Sequence, residues 1–364
     1  MKKKILILLV VLLPIITGCH YKELNNLSII NAIAIDYVDN KYEVTVKVLN
    51  TEKENDNQNN TFNGVTYKSK GNNLTEAISN ISLTIPKKIY LGHLELLVIS
   101  KDIANNKLDD IVKYFINNNS VNKNFSVLLS LNDKAEEILK AKELLSSYPY
   151  GNILGSIENS SNLSGISSDI KFIDLAYFLN TSYKTPVIST VKLNNKKLSI
   201  DNLAIFKNKK IIDYLDNEYN LGYNFMTDNI VEAIINFKCN KDRENDKYSG
   251  VKITNSKTII RPIIKNDKPY IKIYITGDIY LIENGCDNND KEIKHNTSDE
   301  IKNIVSNVID YSTDKINTDI FDIEELFYKY KNSYYKSINF KDLYSSLDYE
   351  IVTKLEMRWY DEKD

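Results

Sequence analysis

The sequence predicts an α+β protein of more than one domain, with antiparallel or mixed sheets and packed helices. Three observations carry this. The chain has 364 residues and about 345 of them follow Cys19, which on ordinary domain sizes suggests two or three domains. The front half alternates short apolar strand-like runs with stretches of helical spacing. The back half carries two long runs of period two, followed by helical patterns. With 42% apolar residues the chain can build ordinary cores.

Residues 27–49 read as a hairpin. Ile29, Ile30, Ala32, Ile33 and Ile35 form one strand; Tyr42, Val44, Val46 and Val48 alternate with polar residues in the next; Val38-Asp39-Asn40-Lys41 is the turn. Residues 51–60 are all polar and read as an exposed loop, with a third strand over 61–69. Leu74, Ile78, Ile81 and Ile85 predict a helix ended by Pro86. A buried strand over 94–99, a helix over 103–117 and a strand over 125–131 follow. The next helix, over 133–145, is expected to be capped by Asn132 or Asp133. The Ser/Asn/Gly-rich residues 155–169 read as a surface loop near a domain boundary.

Further on, 172–179 and 217–226 read as helices, and 186–193, 200–206 and 231–237 as strands. Two long strands, 250–264 and 270–282, are joined by Lys265-Asn266-Asp267-Lys268-Pro269. Ile271, Ile273 and Ile275 alternate with Lys272 and Tyr274, so one sheet face should be buried. Thr297 or Ser298 is expected to open a helix whose apolar face is Ile301, Ile304, Val305, Val308 and Ile309. A helix over 320–330 and a strand over 351–359 end the chain, so the back half reads as antiparallel strands plus helices. The expected division is a signal peptide at 1–18, an N-terminal α/β region of one or two subdomains at 19–195, and a C-terminal α+β domain at 196–364.

The first residues say where the rest works. Lys2, Lys3 and Lys4 precede an uncharged run from Ile5 to Ile16, too short to span a bilayer, and then Thr17-Gly18-Cys19. The segment Ile16-Thr17-Gly18-Cys19 resembles a bacterial lipobox, in which the cysteine thiol receives a diacylglyceryl group. Cleavage between Gly18 and Cys19 would leave an S-diacylglycerol cysteine that is then N-acylated. Two or more acyl chains anchor a protein stably where one does not. The mature chain would then work outside the cytoplasm, tethered to a membrane.

Charge and composition exclude several classes. Without Lys2, Lys3 and Lys4, 44 basic residues face 49 acidic ones, a formal charge of −5. That argues against nucleic acid as a partner and against polybasic attachment to lipid. Cys239 and Cys286 remain after Cys19; an extracytoplasmic disulfide between them is allowed, and two separate thiols is the simpler reading. His20, His93 and His295 are scattered and no C-x-x-C occurs, so neither a metal site nor a cofactor is expected.

No catalytic constellation emerges: the chain has no Gly-rich phosphate loop and no G-x-S-x-G. The pairs Asp109-Asp110 and Glu324-Glu325 are expected on solvated helix faces, and Lys207 to Lys210 on a solvated turn. His93 is expected to make a structural hydrogen bond to backbone. The 25 tyrosines suit either core filling or a wet partner interface.

Four blocks add a resemblance. They are Cys19-His20-Tyr21-Lys22-Glu23-Leu24-Asn25; Ala32-Ile33-Ala34-Ile35-Asp36; Lys88-Ile89-Tyr90-Leu91-Gly92-His93 with Val98-Ile99-Ser100 and Ala104; and Leu203-Ala204-Ile205-Phe206-Lys207 with Lys210. In order and spacing the chain resembles the Ger(x)C family of spore-germination lipoproteins, the C subunits of GerA-type germinant receptors. It departs where Ala32 and Ala34 stand for glycines, where Asn202 stands for another, and at Ser337-Ile338-Asn339-Phe340, a weak form of a Gly- and Phe-rich segment. The resemblance implies three mixed α/β domains and attachment to the outer face of the spore inner membrane. It also implies a membrane-embedded A subunit and a transporter-like B subunit as partners, and no enzymatic activity. The alternative is an extracytoplasmic solute-binding lipoprotein serving a membrane transporter.

Overall fold

The structure is a computed structural model that describes residues 26–49, 64–141, 155, 165, 167–195, 197–239 and 247–359. The signal-like segment with Cys19, the polar loop 51–60 and most of the 155–169 stretch lie outside the described residues.

A first sheet of nine strands is built from β1 (Leu27–Val38), β2 (Lys41–Val48), β3 (Val65–Gly71), β4 (Lys88–Tyr90), β5 (Leu96–Ile99), β6 (Ser126–Ser130), β7 (Val187–Asn194), β8 (Lys197–Lys207) and β9 (Lys210–Leu215). Its order is β3-β2-β1-β5-β6-β7-β8-β9, with β4 pairing β1 on the side. β1, β5, β6 and β7 run parallel, and antiparallel partners close both ends. Central parallel strands are buried on both faces, which is why β5 and β6 read as unbroken apolar or small runs. The β1–β2 and β8–β9 connections turn through Asp39 and Asn40, and Asn208 and Lys209, all at positive φ, the geometry of two-residue hairpin turns.

Helices α1 (Leu74–Ile81), α2 (Leu108–Asn117, entered through a π turn at Ile103–Lys107) and α4 (Phe172–Leu179) cover one face. There Phe115, Phe125 and Phe172 pack with centroids 4.8 to 5.4 Å apart. Helix α3 (Glu136–Lys140) covers the other face, over Ala32 and Ala34. Asn73 caps α1 by accepting from the Glu76 N–H at 2.8 Å. The cap expected for α3 is different. Neither Asn132 nor Asp133 serves; the carboxylate of Asp36, on β1, accepts from the N–H groups of Ala135 (2.7 Å) and Glu136 (3.1 Å).

The second sheet has the order β10-β11-β12-β13, from β10 (Glu232–Lys238), β11 (Tyr248–Lys265), β12 (Lys268–Asn284) and β13 (Asp348–Arg358). β13 runs parallel to β12, so the second sheet is mixed where the back half had read as antiparallel: the chain returns through α7 (Ile323–Tyr330), α8 (Asn332–Ser337) and α9 (Phe340–Leu343) before entering it. Ile271, Ile273 and Ile275 are fully buried on the inner face, while Tyr270, Lys272 and Tyr274 look outward. Helices α5 (Asn217–Met226) and α6 (Asp290–Asp310) pack on that inner face. Gly222 permits their crossing, since a Cβ there would lie 2.5 Å from the Ile304 carbonyl oxygen. Helix α6 begins seven residues before Thr297. Asn289 and Glu292 form a capping box, and Thr297 is buried inside the helix.

The expected boundary at 195/196 falls in the β7–β8 hairpin. Ala204 and Phe206 of β8 belong to the first core, while Leu203 and Ile205 join the second with Tyr223, Val305 and Ile309. Both faces of that strand are therefore in use.

Candidate functional site

A cleft of about 720 Å³ opens where the two regions meet. Its walls are the end of α4 and the segment to Pro186, the β8–β9 turn, residues 317–319 and the start of α9. Lys184 is its centre of charge. The ammonium lies 2.6 Å from Asp322 and 2.7 Å from Glu325, with the Phe178 ring centroid 5.2 Å away. Burial alone would lower the Lys184 pKa, but hydrogen bonds and charge from the two carboxylates raise it overall. Glu325 also pairs with Lys329 at 2.7 Å, and the two lysines outweigh its burial and hold it below the usual carboxylate range.

Other bonds tie the same joint. Lys207 donates to Thr318 Oγ1 at 3.0 Å and to the Asn317 carbonyl at 3.3 Å, and Tyr311 donates to Asp213 at 2.8 Å. Asp319 accepts from the N–H groups of Phe321 (3.0 Å) and Glu324 (2.6 Å) at the entry to α7. Burial, with the Asp322 charge nearby, pushes its carboxyl up to about 7 against those backbone bonds. At the mouth Tyr183 stacks on Tyr328 at 5.1 Å, Tyr328 meets Tyr335 edge-on at 5.7 Å, and Tyr335 donates to Glu324 at 2.8 Å. Chemically, the acids here neutralise lysines or cap a helix; the arrangement fastens two bodies and edges the fastening with tyrosine.

Several sequence-based expectations change at this point. Glu324 and Glu325 are buried, not solvated. Asp109 and Asp110 are exposed on α2 as expected, and from there Asp109 pairs with Lys209 at 2.6 Å and Asp110 accepts from the Tyr42 hydroxyl. Lys207 and Lys209 are thus engaged at distances of over 90 residues in sequence, which local pattern could not reveal. His93 is exposed on the turn before β5, in place of the expected backbone bond. Cys239 and Cys286 form a disulfide with Cα atoms 5.3 Å apart, because the register brings the ends of β10 and β12 to either side of β11.

Two of the quoted sequence blocks occupy joints, and the block at 19–25 lies outside the described residues. Ala32 and Ala34 are the small residues on which α3 sits, and Asp36 caps that helix. Phe206 and Lys207 lie where β8 reaches the second region.

Comparison with known proteins gives the same outline. Residues 20–193 match the family profile described as the spore germination protein N-terminal domain. Residues 201–359 match the one described as spore germination B3/GerAC like, C-terminal. Spore germination protein KC of Bacillus subtilis (strain 168) is 24% identical over 360 residues, covering 85% of this chain and 86% of that protein. Spore germination protein B3 of the same organism is 22% identical over 274 residues, covering 73% and 71%. The crystal structure of the GerBC protein shares the fold, with a TM-score of 0.60 at 16% identity over 89% of this chain and 96% of that one. With both profiles together spanning nearly the whole sequence, the chain belongs to the Ger(x)C family of spore germination proteins.

Proposed function

We propose that the chain is a non-catalytic, lipid-anchored subunit of a spore germinant receptor, needed for nutrient-triggered germination. It works on the outer face of the spore inner membrane, beside a membrane-embedded A subunit and a transporter-like B subunit. The observation that carries this reading is the pair of family matches, the first of which begins at residue 20, directly after Cys19. Among the described residues no helix is long and apolar enough to cross a membrane; in this reading the lipid on Cys19 supplies the attachment. Tethering confines the body to a thin layer, where weak contacts with membrane-embedded partners gain from high effective concentration. The ion pairs of Lys184 help the body move as one piece, and the tyrosine ledge offers amphipathic contact area.

Cys19→Ala should release the protein from the membrane fraction and abolish germination through its receptor. Normal germination with soluble, unacylated protein would defeat the reading. Solute capture for a transporter finds a foothold in the 720 Å³ cleft. A ligand-dependent rise in melting temperature would favour it.

A further inference from the structure

The distal half of the β11–β12 hairpin carries an unbalanced charge. Residues 257–274 contain five basic side chains, Lys257, Arg261, Lys265, Lys268 and Lys272, and one acidic, Asp267, in a chain of net charge −2. The register places cations face to face on the outer surface: Arg261 opposite Lys272, and Lys265 opposite Lys268. Like charges directly opposite destabilise a sheet, so folding alone does not explain them. Lys272 is offset by Glu350 at 2.9 Å. Arg261 and Lys265 instead lie over the rings of Tyr274 and Tyr270, at 5.1 and 4.7 Å. Among the described residues, no carboxylate forms an ion pair with Arg261, Lys265 or Lys268.

Apolar side chains alternate with these cations. Ile259 faces Tyr274 and Ile263 faces Tyr270 across the strands. Ile259 and Ile263 are 48% and 36% exposed. β10 pairs with β11 only as far as Thr254, so the hairpin extends past it. A strand-adding peptide is a poor match for this edge, because Pro262 and the lysines blunt it. Isoleucine, tyrosine and unpaired cations in alternating rows suit a different occupant: apolar tips for the acyl boundary, rings for the headgroup level, and basic groups for anionic headgroups.

We propose that the outer face of the distal β11–β12 hairpin docks on an anionic lipid bilayer and sets the orientation of the tethered body. The proposal rests on the membrane-anchored reading, and it adds a defined side facing the membrane; the expectation against basic attachment to lipid came from the net charge of the whole chain, which the local excess at 257–274 does not share.

The test uses the full-length acylated protein with its only tryptophan removed (Trp359→Phe) and a reporter introduced at the exposed tip (Ile263→Trp). The protein is reconstituted in vesicles of phosphatidylcholine with brominated acyl chains, either alone or mixed with phosphatidylglycerol. The expected result is blue-shifted, quenched emission in the anionic vesicles, lost at high salt and absent in phosphatidylcholine. Charge reversal at Arg261→Glu, Lys265→Glu and Lys268→Glu should abolish the quenching while the protein still floats with the vesicles and keeps its circular dichroism. Unquenched emission from floating protein in the anionic vesicles would overturn the proposal, as would equal quenching in both lipids. Protein that fails to float with phosphatidylcholine would instead count against the anchor; flotation with phosphatidylglycerol vesicles then decides the docking surface by itself.

Discussion

The two sheets treat charge in opposite ways. In the first region the inward-facing acids are satisfied from within. Asp36 caps α3, and Glu43, almost fully buried, is held by Lys68 at 2.6 Å and Lys70 at 2.5 Å. Helices cover that sheet on both faces. The second sheet buries one face under α5 and α6 and leaves the other open, where Lys272 and Arg358 pair with Glu350 and Asp278 while Arg261 and Lys265 lie over tyrosine rings. Buried polar groups in the first region serve folding. On the second sheet's open face Arg261, Lys265 and Lys268 have no carboxylate partner among the described residues, which makes the distal hairpin the place to look for partners.

The largest expected effect asks whether the two regions are energetically separate. Replacing both Cys239 and Cys286 with serine releases a cross-link spanning 47 residues, worth roughly 4 kcal/mol on loop-entropy grounds. Calorimetry should show the second region melting earlier while the first holds. A single transition shifted as a whole would show instead that the sheets unfold as one unit. A smaller effect should fall on the other side of the comparison. Asp36→Ala strands the N–H groups of Ala135 and Glu136 and should cost about 2–3 kcal/mol in denaturant titration. A negligible loss would mean that α3 needs no cap from β1.

The smallest effect contrasts the two regions by pH. Burial alone would raise Glu43, but hydrogen bonds from Lys68 and Lys70 with the charges of Lys68 and Lys134 hold it at about 2, below its ordinary 4.5. Its contribution is complete above 4.5 and is lost as pH falls toward 2. Asp319 is the reverse: burial lifts it from 3.8 to about 7, so its ionisation opposes folding and stability falls as pH rises through that window. Glu43→Gln should flatten the acid limb of a stability–pH curve, and Asp319→Asn the limb between 3.8 and 7. Exchange of the two assignments would break the contrast.

What sequence revealed follows from the range of each interaction. The β1–β2 hairpin and the alternation of β12 were plain, because turn residues and period two are local signals. The direction of β13 was hidden, since alternating Ile351, Thr353 and Leu355 reads the same both ways along a sheet. The start of α6 was missed although its signal was present: Asn289 with Glu292 three residues on is a capping box, masked by polar neighbours. The Asp36 cap lies 99 residues from Ala135, and the Lys184 ion pairs span more than 130, beyond any window of pattern. The cationic rows of the hairpin were visible as letters, but their face-to-face placement needed the register.

The shared strand β8 has one more consequence. In residues 203–206 membership alternates, with even-numbered side chains in one core and odd-numbered ones in the other. There the border between the regions is a matter of parity, with no single peptide bond where the chain can be divided. Severing it at 195/196 would strip β7 of its antiparallel partner β8 and leave either fragment with half of a strand's contacts exposed to water. A fragment meant to carry the first core intact has to extend at least through Leu215, the last residue of β9.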